Sequence, residues 1–244
     1  MITVSNLVKR FPQGITALDS VSFSVADGEC LVISGANGSG KSVLMNLIAS
    51  LDSPTTGTVS VVDAAGKAQR VGLVFQDADS QILGETVLED VCIGPGNLGY
   101  TAAQAEEKAI SAIERCGLGG KERHPARTLS GGEKRRLAVA GILAMDCSII
   151  IFDEPFANLD WPGVCQVNGI IRSLHAAGHT VLILTHELEK VLALADRLLV
   201  LFKGSLVWEG PPDAALLTAP LESWGIRNPV RSYRDAADCI WEDS

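Results

Sequence analysis

Two hydrophobic periods alternate along this chain. Ile2 and Val4, then Leu18, Val21, Phe23 and Val25, stand among polar neighbours and face one way, the period-two pattern of half-buried strands. Residues 30–33 form a short unbroken apolar run, which predicts a buried strand entering a glycine-rich loop. The apolar stretch 43–49 predicts a helix, with Pro54 as its stop. Further strands are expected at 58–62 and 71–75. From Asp77 to Met145 the texture becomes helical. Thr101 and Gln104 form a capping-box pattern for a helix reaching Cys116 before Gly117, and a second helix is expected from near Gly131 to Met145. Buried strands at 149–152, 181–184 and 198–202 then alternate with helices, which predicts a parallel sheet. Lys203-Gly204 reads as a hairpin turn into a strand at 206–208, and no element is assigned from Trp224 to Ser244.

Composition narrows the class. At 47% hydrophobic and 20% charged, the 244 residues can bury a sizeable core. The formal charge of -9, without a basic run, argues against nucleic acid as a partner. It does not exclude phosphate ligands, which backbone N–H groups and one lysine can bind locally. The six cysteines are scattered without metal-ligand spacing and read as small buried hydrophobes in a reducing compartment. The longest apolar runs are strand-length, far below the ~20 residues of a membrane-spanning helix. With no signal-peptide pattern, the expected location is cytoplasmic, and a membrane role must come through partners.

Chemistry concentrates at a few positions. Gly35-Ala36-Asn37-Gly38-Ser39-Gly40-Lys41-Ser42 fits G-x-x-x-x-G-K-[ST] between a predicted strand and a predicted helix. In that context the glycines let backbone N–H groups wrap a phosphate at a helix N-terminus. Lys41 is expected to reach the β- and γ-phosphates and Ser42 to ligate Mg²⁺. A chance glycine-rich turn would not bring strand, lysine, serine and helix together. The strand at 149–152 ends in Asp153 and Glu154, expected respectively to hold the metal through water and to polarise an attacking water. Read alone, they are two solvated acids at a strand end. His186 closes another core strand, where an imidazole can contact the γ-phosphate; a lone histidine is more often structural, so its position carries the weight.

Leu129-Ser130-Gly131-Gly132-Glu133 is the most specific element. With it the chain resembles the ABC ATPase family, whose signature is LSGG[QE], and the resemblance runs from about residue 2 to 218. It implies an α/β P-loop fold with a mainly parallel core sheet, an N-terminal antiparallel β part and an inserted helical subdomain (about 77–145) within a 1–220 ATPase domain, followed by a short 221–244 tail. It also implies that two cassettes bind two ATP molecules between them, each signature (Ser130, Gly131, Gly132, Glu133) facing the partner's γ-phosphate. Gln76 resembles the Q-loop glutamine, which links the metal site to the helical subdomain and joins Ser42 and Asp153 as an implied metal contact, and Phe11 resembles the aromatic that stacks on adenine. Val43, where the family often has Thr, completes the nucleotide-binding set. Glu154, His186 and Lys41 are the implied catalytic residues.

A narrower resemblance lies between 74 and 99. Val74-Phe75-Gln76, Gln81, Val87, Asp90-Val91 and Gly94-Pro95-Gly96-Asn97-Leu98-Gly99 look like the energy-coupling-factor (ECF) importers. It implies a homodimer, or a heterodimer with a paralogue, docked on a transmembrane coupling protein with a substrate-binding membrane protein, peripheral on the inner face of the membrane. The group's cargoes are metal ions and vitamins, among which nothing in the chain chooses. Asp77-Ala78 replaces the usual Asn-Pro, Ile93 an aromatic, and Asn158 a small D-loop residue. The tail is shorter than the dimerising extension of many relatives. The rival reading is a soluble, non-transport ABC ATPase such as an iron–sulfur assembly factor; a chromosome clamp is excluded because no coiled coil separates P-loop from signature.

Overall fold

A computed structural model describes residues 1–230. Two sheets meet in it. The first is antiparallel, with β1 (Ile2–Arg10) between β2 (Thr16–Val25) and β4 (Thr56–Val61). The second is built on β3 (Cys30–Ser34), β5 (Val71–Val74), β6 (Ile149–Asp153), β7 (Thr180–Thr185) and β8 (Arg197–Phe202), all parallel, with β9 (Ser205–Gly210) antiparallel at one edge. Its order is β5-β6-β7-β3-β8-β9, so the consecutive strands β5, β6 and β7 neighbour one another while β3 lies between β7 and β8.

Strict alternation along the core strands divides the interior in two. Ile149, Ile151, Leu31, Ile33, Leu182 and Leu184 join the cluster under β1 and β2, with Leu44 and Ile48 of α1 (Lys41–Ile48). Ile150, Phe152, Val32, Val181 and Ile183 join the opposite cluster, which is covered by helices. Both faces of each strand are therefore dry, which is why the parallel strands read as unbroken apolar runs rather than alternating ones.

The helices on that second face are α2 (Val87–Asn97), α3 (Ala102–Arg115), α4 (Gly131–Ala144) and α5 (Trp161–Ala176). The first three pack on one another. Each of these three starts with a reciprocal capping box: Thr86 with Glu89, Thr101 with Gln104, Ser130 with Glu133. Gly94 of α2 is required by close approach, since a Cβ there would lie 2.7 Å from Met145 Cγ. A short helix α6 (Pro212–Thr218) follows β9, and Leu221 and Ile226 beyond it are buried in the helix-side cluster. The segment after 230 lies outside the described residues.

Two expectations change. The helix after the glycine-rich loop is not stopped by Pro54; it ends at Ile48, and Ser50 turns the chain in the left-handed region at φ 58°. The even spacing expected on β2 is broken between Leu18 and Val21, both buried. There Lys9 pairs with Leu18 and Leu7 with Val21, and the surplus residue is absorbed by a bulge near Ser20, φ 55°. The Lys203-Gly204 turn forms as expected, with φ 48° and 83°, the positive values of a tight hairpin. Its tip is not free: the Gly204 N–H donates to Ser39 O (3.1 Å), and Gly204 O accepts from Asp19 N–H (2.9 Å).

Candidate nucleotide-binding site

The loop between β3 and α1 is shaped by steric exclusion. At Gly35 a Cβ would lie 2.4 Å from Leu201 O and 2.4 Å from Ser39 Oγ, so only glycine lets the loop close against β8. Lys41, 6% exposed, folds back along the loop and donates from Nζ to Gly35 O (2.6 Å) and Ala36 O (3.3 Å). The same ammonium stands 3.6 Å from Glu154 Oε1. A lysine so held lies along the loop it would serve when phosphates enter. Ser39 is also buried, with an unpartnered hydroxyl.

The end of β6 supplies the acids. Asp153 is half-buried, and its Oδ1 is enclosed without a hydrogen-bond partner. Burial, and then the neighbouring Glu154 carboxylate, push its pKa up, while Lys41 and a hydrogen bond with Ser42 pull the other way. A half-buried acid with an orphaned oxygen beside a serine hydroxyl is a hard oxygen donor pair, and it fits Mg²⁺. Glu154 takes φ 46°, an uncommon conformation for a non-glycine residue, fixed by its N–H donating to Leu184 O (2.8 Å). Its carboxylate lies between Lys41 and His186, whose Nδ1 is 3.0 Å from each carboxylate oxygen. Lys41, Ser42, Asp153, Glu154 and His186 thus form one contact chain contributed by β3–α1, β6 and β7.

Other expected residues lie apart from that chain. Ser130 caps α4, its N–H and hydroxyl both donating to Glu133 Oε2 at 2.9 Å. Gly131 and Gly132 form the first turn of α4, and Gln166 lies against Gly132. Among the described residues, no hydrogen bond or ion pair joins residues 130–133 to the P-loop, Asp153, Glu154 or His186. Gln76 is exposed, with only its carbonyl engaged, accepting from Arg135 Nη2 (3.4 Å). Phe11 is half-buried, with Lys9 Nζ 5.5 Å from its ring centroid.

Three further residues, with no motif of their own in the sequence, hold the loops around the site. Arg135 is buried in α4 and donates from Nη2 to Ala157 O (3.0 Å) as well as to Gln76 O, tying the Gln76 loop to the turn after Glu154. Its spacing carried no signal, because a buried arginine on a helix looks like any polar residue until its partners are seen. Gln81 satisfies the outer edge of β5, accepting from Phe75 N–H (2.8 Å) and donating to Leu73 O (2.9 Å). Asp90 Oδ1 accepts from Leu83 N–H (2.7 Å) and Gly84 N–H (2.8 Å), holding the next stretch of the same loop. In the sequence, Gln81 and Asp90 stand out only within the ECF-like pattern between 74 and 99.

Fold and site together define a P-loop nucleoside triphosphatase of the cassette type. The family model described as ABC transporter matches residues 18–157, and the chain belongs to that family. A cobalt import ATP-binding protein, CbiO, of Syntrophus aciditrophicus is 41% identical over 225 residues, covering 88% of this chain and 80% of the relative. An energy-coupling factor transporter ATP-binding protein, EcfA2, of Symbiobacterium thermophilum is 40% identical over 226 residues, covering 88% and 78%. In structure the chain superposes on cbiO1 of Clostridium perfringens, described as part of the ABC transporter complex cbiONQ, with TM-score 0.80, 27% identity and coverage of 93% and 95%. The fold expectation, the ABC ATPase resemblance and its ECF branch are thereby borne out.

Proposed function

We propose that this chain is the ATP-hydrolysing subunit of an ECF-type importer, driving uptake of a metal ion or vitamin through membrane partners. The observation that carries it is the contact chain Lys41–Glu154–His186 beside an enclosed, unpartnered Asp153 oxygen at the mouth of a P-loop. The loop's backbone N–H groups and Lys41 bind the phosphates of ATP. Ser42 and Asp153, with Gln76, hold Mg²⁺, which when bound neutralises phosphate charge. Glu154 accepts the proton of the attacking water, and Lys41 stabilises charge on the transferring phosphoryl group. His186 orients Glu154 through its Nδ1 and shares with Lys41 the stabilisation of charge on the transferring γ-phosphoryl group. Phe11 stacks on the adenine.

No hydrogen bond or ion pair among the described residues joins the signature to its own P-loop, and in this reading it completes the site of a second cassette. Two subunits, identical or paralogous, close head to tail around two ATP molecules. Residues 77–145 form the unit that moves with closure, within a cassette spanning about 1–220. The stretch 74–99, buttressed by Gln81 and Asp90, receives the coupling helix of a transmembrane protein. A separate membrane protein binds the cargo. In this reading the membrane partners hold the subunit at the inner face; no described helix is long and apolar enough to cross a membrane.

The test is a pull-down of tagged Glu154→Gln protein with Mg·ATP from detergent-solubilised native membranes, read by mass spectrometry. Recovery of two integral membrane proteins supports the importer. Recovery of soluble partners alone replaces it with a non-transport ABC ATPase.

A further inference from the structure

The N-terminus of α4 carries an electrostatic conflict. Its first turn offers Ser130 and glycine N–H groups to an incoming phosphate, a role that rests on the function proposed above. Yet the same turn already holds an anion. Glu133 Oε2 accepts both the Ser130 N–H and the Ser130 hydroxyl at 2.9 Å, and Glu133 N–H donates to Ser130 Oγ at 3.4 Å. The Glu133 pKa is pulled down to about 2, first by Lys121 and then by Ser130, so the carboxylate is ionised at any physiological pH. An anion fixed on the hydroxyl that should greet a phosphate would repel that phosphate and withhold the donor.

Lys121 is placed to resolve this. Its ammonium bonds the other carboxylate oxygen, Oε1, while Arg136 Nη2 stands farther off at 4.0 Å from the same atom. Arg136 is committed elsewhere, donating from Nη1 to Gln166 Oε1 (3.0 Å). Lys121 comes from the turn after α3, which is anchored by buried Leu118 and by Leu118 N–H donating to Ile113 O (3.0 Å). The lysine is therefore delivered to Glu133 by a fixed loop.

We propose that Lys121 is a positioning residue for the signature: it neutralises Glu133 and, by holding Oε1, weakens the claim of Oε2 on the Ser130 hydroxyl, so that an arriving phosphate can displace the carboxylate and take the hydroxyl and the α4 N-terminus as donors. Lys121 acts through Glu133 and need not touch the nucleotide. Its importance should therefore vanish when residue 133 is uncharged.

The test is steady-state ATP hydrolysis by four full-length proteins: wild type, Lys121→Met, Glu133→Gln and the double variant, with Lys121→Arg alongside. Lys121→Met is expected to raise the ATP concentration for half-maximal rate about tenfold, with kcat changed less than twofold, and Lys121→Arg to restore most of it. In the Glu133→Gln background the same lysine substitution is expected to change the half-maximal concentration less than twofold. An equal tenfold loss in both backgrounds would overturn the proposal, because Lys121 would then contact phosphate itself or support the fold. No loss in either background would overturn it too. Binding of a fluorescent ATP analogue to the isolated subunit reports an intact P-loop in every variant. Wild-type protein that binds this analogue but does not hydrolyse ATP would instead refute the functional reading on which the proposal rests.

Discussion

Gln81 offers the sharpest test of how the site is held. Among the described residues the strand β5 ends the core sheet and has no strand partner on its outer edge, and the Gln81 side chain takes that place with one acceptor and one donor on Phe75 N–H and Leu73 O. Gln81→Leu preserves bulk and removes both bonds. At about 1 kcal/mol net for each, the loss is about 2 kcal/mol. For a chain of this size that lowers the melting midpoint by roughly 4–8 °C. Phe75 is followed directly by Gln76, so a loosened edge also frees the loop proposed to link nucleotide to partner. Turnover should therefore fall more than ATP affinity. Gln81→Glu sharpens the test. Its carboxylate keeps an acceptor for Phe75 N–H but sets a second oxygen against Leu73 O, so it should be no better than leucine. Calorimetry and phosphate release on the three proteins decide the matter. A leucine variant melting within a degree of wild type, or a glutamate variant equal to wild type, would refute the edge-clamp argument.

Further outcomes follow from the same geometry. Glu154→Gln should keep ATP binding and lower turnover by about 10²–10⁴-fold in a phosphate-release assay; wild-type turnover would remove Glu154 as the base. Gly35→Ala must push against Leu201 O and Ser39 Oγ, at a cost of roughly 1–3 kcal/mol in stability, with nucleotide affinity reduced in fluorescence titration. Asp153→Asn should stabilise the nucleotide-free protein in a pH-dependent way. The raised Asp153 pKa means that folding favours its protonated form, so the penalty of ionisation is absent below ~3.9 and complete above the folded-state pKa. The asparagine variant should accordingly gain midpoint at neutral pH and gain nothing near pH 3, while its Mg²⁺-dependent hydrolysis falls.

What could be read in advance depended on whether the signal was local. The strands β3, β6, β7 and β8 were legible because burial on both faces leaves no polar position to confuse the pattern. The P-loop was legible because its demands, small residues and one lysine, fall within eight consecutive positions. Helix α2 went unassigned although Thr86 and Glu89 carry the same capping signal as Thr101 and Gln104. Gly94, Pro95 and Gly96 suggest a loop, whereas Gly94 is there for the approach of Met145, a contact made 51 positions away. The stop after α1 was assigned to Pro54 because proline is the louder breaker, while Ser50 does the turning. Arg135 and Lys121 act through partners distant in sequence, and no spacing rule reaches them.

The hairpin tip at Lys203-Gly204 bears on how this protein can be altered. A two-residue turn leaving an edge strand is the usual choice for an epitope tag, a circular permutation or a reporter insertion. Here the turn's backbone is stitched to the phosphate loop through Ser39 O and to β2 through Asp19 N–H. Added residues would pull both stitches, so the tip behaves as an internal strut despite its place at the end of a ribbon. The turn at Ala65-Gly66, bonded only within its own loop around Asp63, is the safer graft. The same constraint means that natural length variation in this fold should collect at the second turn and spare the first.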